Sequence, residues 1–153
     1  MYAPLSRGSF AESVERSPSA VHGGIRCKAL FTVWRIDVIK IEQLWTEVDG
    51  VKEVQLIARD EGSALPFVGT IGLLLGAKSS GIRRLFVAPS ERRRGIGTTL
   101  VNLCCRKAKD HGSETLGLSL GAGNEEAMEF YKRLGFIRAY QYEDGSHVVC
   151  KVL

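Results

Sequence analysis

Three consecutive arginines, Arg92, Arg93 and Arg94, run directly into Gly95-Ile96-Gly97-Thr98. Before them the apolar run Leu85-Phe86-Val87-Ala88 closes on Pro89, which reads as a strand ending in a turn. After them Ile96, Leu100, Leu103, Cys104 and Ala108 recur at helical spacing. The first turn of a helix leaves backbone N–H groups without intrahelical partners, and the macrodipole makes that end positive. Anions collect there. Here arginines largely displace the acidic residues usual in a first turn, and the glycines remove side chains where a ligand would touch backbone. Cations, bare amides and a dipole converge on one spot, and that is the chemistry of phosphate binding. The alternative is a solvated basic turn that happens to start a helix.

Spacing narrows the kind of phosphate site. A Walker A loop needs Lys-Ser/Thr after its last glycine, whereas Gly97 is followed by Thr98-Thr99. A dinucleotide fingerprint counted from Gly95 needs a third glycine where Leu100 stands. Gly121-Ala122-Gly123-Asn124 also follows a strand and opens a helix, but Glu125 and Glu126 put negative charge where a pyrophosphate would sit.

The 153 residues amount to about one domain, and the net charge of +4 favours an anionic ligand. No aromatic stacking platform accompanies the arginines, so nucleic acid is not the expected partner. Cys27, Cys104, Cys105 and Cys150 form no CxxC and have no histidine set beside them, so no metal is expected. No apolar run approaches the ~20 residues that span a bilayer, and the N-terminus lacks the blocks of a secretory leader. The expected compartment is reducing and cytoplasmic.

Residues 1–26, rich in Ser, Gly and Pro, read as a weakly structured extension with one short helical stretch at Phe10 to Arg16; residues 27–153 read as the domain. Lys28 to Arg35 has strand composition. Asp37 is placed to cap a helix carrying Val38, Ile41, Leu44, Trp45 and Val48, stopped by Gly50. Strands follow at Val51 to Arg59, Phe67 to Leu75 and Ile82 to Ala88, then the arginine-led helix. Thr115 to Leu120 is the next strand. Its link through that helix implies a parallel crossover. Asn124 caps a second helix, with Ala127, Phe130, Tyr131 and Leu134 on its inner face. Phe136 to Tyr140 and His147 to Val152 read as a hairpin.

Arg92-x-x-Gly95-x-Gly97 after a strand ending Leu85-Phe86-Val87 resembles the acetyl-CoA loop of the GNAT N-acetyltransferase superfamily. Asn124-x-x-Ala127-x-x-Phe130-Tyr131-x-x-Leu134-Gly135-Phe136 is similar to that superfamily's later motif, and the paired match spans about Ile82 to Phe136. The resemblance implies an α/β (α+β) fold: a mixed, mostly antiparallel sheet of six or seven strands with helices on both faces. A parallel pair, the fourth and fifth strands of that fold, splays at the cofactor cleft. It implies acetyl-CoA as donor and an unidentified primary amine as acceptor, with direct attack on the thioester. Backbone groups of Leu85, Phe86 and Val87 would pair with pantetheine. Amides of Arg92, Arg93, Arg94, Gly95, Ile96, Gly97 and Thr98 would hold the pyrophosphate, with arginine charge contributing. A backbone N–H near Val87 would polarise the thioester carbonyl. Asn124 would contact the cofactor or order the loop that does. Tyr131 would protonate the departing thiolate, although a tyrosine on an apolar face also serves as core packing.

Two departures bear on the acceptor. Relatives place a glutamate where this chain has Arg83 or where it has Ser119. Glu53 on the second strand of the domain, or a chain of water, is left to take the acceptor's proton. The alternative is an inactive CoA-binding module that keeps the cradle without the chemistry. Subunit pairing through C-terminal strands is common among relatives, which allows a homodimer.

Overall fold

The computed structural model describes the backbone of residues 13–16, 20–22, 25–28, 30–36 and 48, and both backbone and side chains of residues 38–47 and 50–153. Strands β1 (Ser13–Arg16), β2 (Ala20–His22), β3 (Ile25–Lys28) and β4 (Leu30–Ile36) come first. The helical stretch expected at Phe10 to Arg16 is not there: Ser13–Arg16 is a strand paired with β4, and residues 10–12 lie outside the described residues. Most of the extension expected over residues 1–26 also lies outside them.

The helix expected after Asp37 is replaced by a strand, β5 (Ile39–Val48); Asp37 itself lies outside the described residues. Ile39, Ile41 and Gln43 are buried while Lys40 and Glu42 between them are not, a period of two that no helix can bury on one face. Val38, which a helix would have turned inward, is 56% exposed. β5 pairs over its whole length with β6 (Val51–Asp60), starting at Val48 opposite Val51. Only Asp49 and Gly50 separate the two strands, and Asp-Gly between alternating runs is a strong two-residue hairpin signal. Gly50 has φ +77, as such a turn requires, and is not the helix stop it resembles in sequence.

The remaining order is β7 (Gly69–Leu75), β8 (Ser79–Val87), α1 (Ile96–Asp110), β9 (Thr115–Leu120), α2 (Glu125–Arg133), β10 (Ile137–Gln141) and β11 (His147–Val152). β5 to β11 form a seven-stranded mixed sheet of the expected kind, in the order β5-β6-β7-β8-β9-β11-β10, with β5 in place of Lys28 to Arg35 as its first strand, and the upstream strands extend it to eleven. Only β8 and β9 run parallel among the described pairs. That pairing follows from α1, since a parallel connection needs a crossover long enough to return to the starting edge.

The core lies between the sheet and its two helices. Val54, Leu56, Ile71, Leu73 and Leu116 are fully buried under Leu100, Val101, Cys104 and Ala108 of α1. α2 lies on the same face. Its Phe130 reaches the N-terminal turn of α1 at Gly97, and Lys151 of β11 donates to the Leu134 carbonyl just after it (2.7 Å). Both described helices therefore cover one face of the sheet, not both faces. The segment expected to supply a helix for the other face is β5.

The closed end of the β8/β9 pair is held by a buried ring of hydrogen bonds. Gly76 N–H donates to Ser80 Oγ (3.3 Å), the two hydroxyls of Ser80 and Ser113 meet at 2.7 Å, and Ser113 Oγ donates to the Gly76 carbonyl (2.8 Å). With the Ser113 proton committed to Gly76, that of Ser80 goes to Ser113. Ser80 and Ser113 are 3% and 4% exposed, so a group left unpaired there has no water to turn to. Ser113→Ala is expected to lower unfolding free energy by about 1–3 kcal/mol, read from urea denaturation with an unchanged slope. A loss within error would show that the ring does not hold this end of the sheet.

Candidate active-site cleft

β8 and β9 pair at Ser79–Thr115, Ser80–Leu116 and Gly81–Gly117, and there the ladder stops. A bulge in β8 redirects the strand. Arg83 opposes Gly72 and Phe86 opposes Thr70, so two steps along β7 match three along β8. Arg84 takes up the extra residue with φ +51. The side-chain alternation shifts with it: Ile82 and Val87, five residues apart, both pack against the helix-side core, which an unbroken strand could not do. Beyond Gly81, the edge of β8 that faces β9 has no strand partner among the described residues, and its backbone groups open into a cleft of about 530 Å³.

The floor of the cleft is the start of α1. Pro89–Glu91 makes one 3-10 turn, Arg93 has φ +64, and Gly95 caps the helix at φ +77 without a side-chain hydrogen bond. The first intrahelical bond is Thr99 N–H to Gly95 O (3.0 Å), so the amides of Ile96, Gly97 and Thr98 have no helical acceptor. Left-handed residues close together bring successive N–H groups into one concavity, an anion-binding form of backbone. No acidic residue occupies the first turn. At Gly97, a Cβ would stand 3.4 Å from Phe130 and 3.6 Å from Val87, in ordinary contact with both, so α1, α2 and β8 meet at the floor of the cleft.

Most of the expected site residues come together here. Leu85, Val87, Arg92, Arg93, Gly95, Ile96, Gly97, Thr98, Asn124 and Tyr131 line the cleft. Phe86 and Arg94 do not. Phe86 points outward, 44% exposed and edge-on to Phe67 at 6.1 Å. Arg94 binds Asp60 (2.8 Å) and Glu91, fastening the end of β6 to the loop. Gly62 N–H and Arg94 together hold the Asp60 carboxyl below its usual range. The Arg92 Nε donates to the Val87 carbonyl (3.3 Å). Arg93 lies 3.8 Å from Glu126 with both side chains at least 80% exposed, a pair of little energetic weight. Asn124 caps α2, its Oδ1 accepting from Ala127 N–H (3.3 Å).

Tyr131 is 3% exposed, edge-on between Phe130 (5.1 Å) and Phe136 (5.2 Å). Burial raises its phenol well above the ordinary range, with neighbouring Cys104 adding to the effect. The phenol therefore stays protonated at neutral pH.

Of the positions considered for a base, Ser119 lines the cleft and Arg83 does not. Glu53 lies on the helix-free face, its Oε1 3.0 Å from where a Cβ on Gly72 would stand, and it does not line the cleft. The carboxylates that do line it, Glu91 and Glu126, are paired with Arg94 and Arg93. Arg84 and Arg133 also line the cleft, and no motif in the sequence marks either. Each sits in an ordinary context there, one in a strand run and one in the last turn of a helix, and only the bulge and the placement of α2 bring them to the cleft.

The family described as "Acetyltransferase (GNAT) family" matches residues 26–136. A curated relative, an uncharacterized N-acetyltransferase of Methanocaldococcus jannaschii, is 49% identical over 55 residues, which are 36% of this chain and 24% of that protein. The match thus spans about a quarter of the length of that relative. Among solved structures, a GNAT family acetyltransferase from Elizabethkingia anophelis with acetyl-CoA bound is 16% identical with a TM-score of 0.61, covering 77% of this chain and 100% of that one. PaiA N-acetyltransferase from Thermoplasma acidophilum in complex with coenzyme A is 22% identical with a TM-score of 0.59, covering 66% and 61%. At these identities the structures establish the fold.

Burial also pushes the Cys104 thiol up to about 12, from an ordinary 9.0. Cys104 and Tyr131 both hold their protons more tightly folded than unfolded. Their contribution to stability is therefore fully present below about pH 9 and is lost as pH rises through the folded values. The urea midpoint should fall between about pH 9 and 11, and fall less steeply in Tyr131→Phe. Parallel declines in the two proteins would show that Tyr131 is not shielded from water.

Proposed function

The chain belongs to the acetyltransferase (GNAT) family, and from that we propose that it transfers an acetyl group from acetyl-CoA to a primary amine by direct attack on the thioester. The observation that carries the reading is that an arginine-flanked helix N-terminus, a strand edge without a partner among the described residues and a buried, protonated tyrosine meet in one cleft.

The residues fit the donor. The amides of Ile96, Gly97 and Thr98, with Arg92 and Arg93 beside them, receive the pyrophosphate. The free edge of β8 from Leu85 to Val87 offers backbone groups to the amides of pantetheine, as a sheet edge does to an added strand. A backbone N–H near Val87 polarises the thioester carbonyl. The amine nitrogen bonds to the carbonyl carbon as the C–S bond breaks, and the acetyl group leaves on nitrogen. Tyr131 gives its proton to the departing thiolate and regains one from solvent. In water, proton transfer from a phenol (pKa ~10) to a thiolate (~8.5 for its acid) is uphill by about 2 kcal/mol. The low-dielectric surroundings that raise the phenol penalise the thiolate as well, so transfer concerted with C–S cleavage keeps either anion from standing alone. The proton of the acceptor ammonium leaves by water, or through Glu53 on the open face. The free thiols of Cys104, Cys105 and Cys150 fit a reducing compartment such as the cytoplasm, and no described helix is long and apolar enough to cross a membrane.

A second reading, a CoA-binding module without turnover, is favoured by one fact: the carboxylates lining the cleft, Glu91 and Glu126, are both paired with arginines. Calorimetric titration separates these readings. Acetyl-CoA and CoA should bind with ATP far weaker, and Gly95→Glu should abolish binding, because it places a side chain and a negative charge at a left-handed helix cap. With an amine panel, Tyr131→Phe should lower kcat by about 10²-fold or more while CoA affinity stays the same. CoA binding with no turnover on any amine supports the module; no CoA binding removes both readings.

A further inference from the structure

The arginines of the cleft do not all serve the phosphate end. Arg92 is tied to the Val87 carbonyl, and Arg93 stands over the start of α1 beside Glu126. Arg84 stands apart from them. It lies three residues, or about 10 Å of strand, before Val87, toward the fork where β8 and β9 part. It is the extra residue of the bulge, held at φ +51, a region that residues with a side chain seldom enter. Arg84 is exposed, lines the cleft and has no ion-pair partner among the described residues. A glycine at that position would make the same bulge without strain, so the fold alone does not call for an arginine there.

Charge disfavours one large group of acceptors. Four arginines, Arg84, Arg92, Arg93 and Arg133, line the cleft against two carboxylates, Glu91 and Glu126, each of which lies beside an arginine, so a polyamine or an isolated ammonium approaching Arg84 meets net positive charge. An amine that also carries an oxyanion meets a planar fork suited to carboxylate or phosphate.

We propose that Arg84 binds an oxyanion on the acceptor, so that the substrate is a primary amine bearing a carboxylate or phosphate near the amino group. This rests on the acetyl-transfer reading above. The amine is held with its nitrogen at the thioester carbonyl and its anionic group on Arg84, on the fork side of that carbonyl, while the arginines at the head of α1 keep to the donor.

The test uses matched acceptors: alanine against alaninamide, 2-aminoethyl phosphate against ethanolamine, and spermidine as a purely cationic amine. Wild type and Arg84→Gly are compared, the glycine chosen because it suits the left-handed backbone. In wild type, at least one anionic member is expected to exceed its neutral partner in kcat/KM by about 10- to 100-fold. Arg84→Gly is expected to collapse that ratio toward one through KM, with calorimetric CoA affinity unchanged, and Arg84→Lys to restore part of it. Equal or better turnover of the neutral or cationic amines overturns the proposal and leaves acetyl transfer standing. If instead Arg84→Gly removes a preference for succinyl-CoA over acetyl-CoA, the oxyanion belongs to the acyl donor and the acceptor assignment is wrong. If CoA binds and no amine in either series is acetylated, the acceptor proposal falls together with the acetyl-transfer reading, and the CoA-binding module is left.

Discussion

The ladder between β8 and β9 ends after Gly81 and Gly117, and the cleft exists because it ends there. A parallel pair that zipped to its full length would fill the gap with its own hydrogen bonds. The bulge at Arg84 turns β8 away before that can happen, and the ring through Gly76, Ser80 and Ser113 keeps the other end shut. A fork closed at one end and pried open at the other leaves backbone donors and acceptors unpaired in a sheet whose other described neighbours are paired. Unpaired backbone in a sheltered place is costly unless water or a ligand meets it. The proposed donor meets it along the strand.

The electrostatics of the cleft are graded along its length. At the floor, a dipole and unpaired amides favour a concentrated negative charge, and nearby arginines reinforce them. Arg94 is spent elsewhere: its bonds to Asp60 and Glu91 anchor the loop to β6, so of the three consecutive arginines the one with two ion pairs among the described residues does not line the cleft. In the wall, aromatic rings surround Tyr131 and remove water from it, which fixes its protonation state by desolvation. Toward the fork the lining becomes Arg84 and Ser119. An acetyl transfer read onto this gradient has its anionic donor end, its proton donor and its acceptor end in sequence along one channel.

The helix-free face follows from β5. Placing residues 39–48 in the sheet removes the helix that would have covered β6 and β7, and it leaves Glu53, Gly72 and Arg83 on a face with no described helix over it. The acceptor side of the proposed reaction is thus more open than a second helical layer would have made it.

The cradle was legible in the sequence because its chemistry is local. Arg92 to Thr98 are neighbours in the chain, and a strand, a turn and a helix cap are set by residues within a few positions of one another. The same holds for Asn124 as a cap, and the order of the two motifs carried the mixed sheet with it. The segment 38–48 was not legible from its apolar positions, because Val38, Ile41, Trp45 and Val48 fit a helical face while Ile39, Ile41 and Gln43 fit a strand face. Pairing with β6 decided between them, although Asp49-Gly50 already marked the hairpin. Nothing in the sequence marks Arg84 or Arg133 as cleft residues, since no local pattern announces a bulge or says which end of α2 meets the cleft. What the chain encoded by itself was therefore the set of groups that short-range geometry holds together. Which charges are paired off and which face the cleft depended on contacts between residues far apart in sequence, and only the packed sheet brings those together.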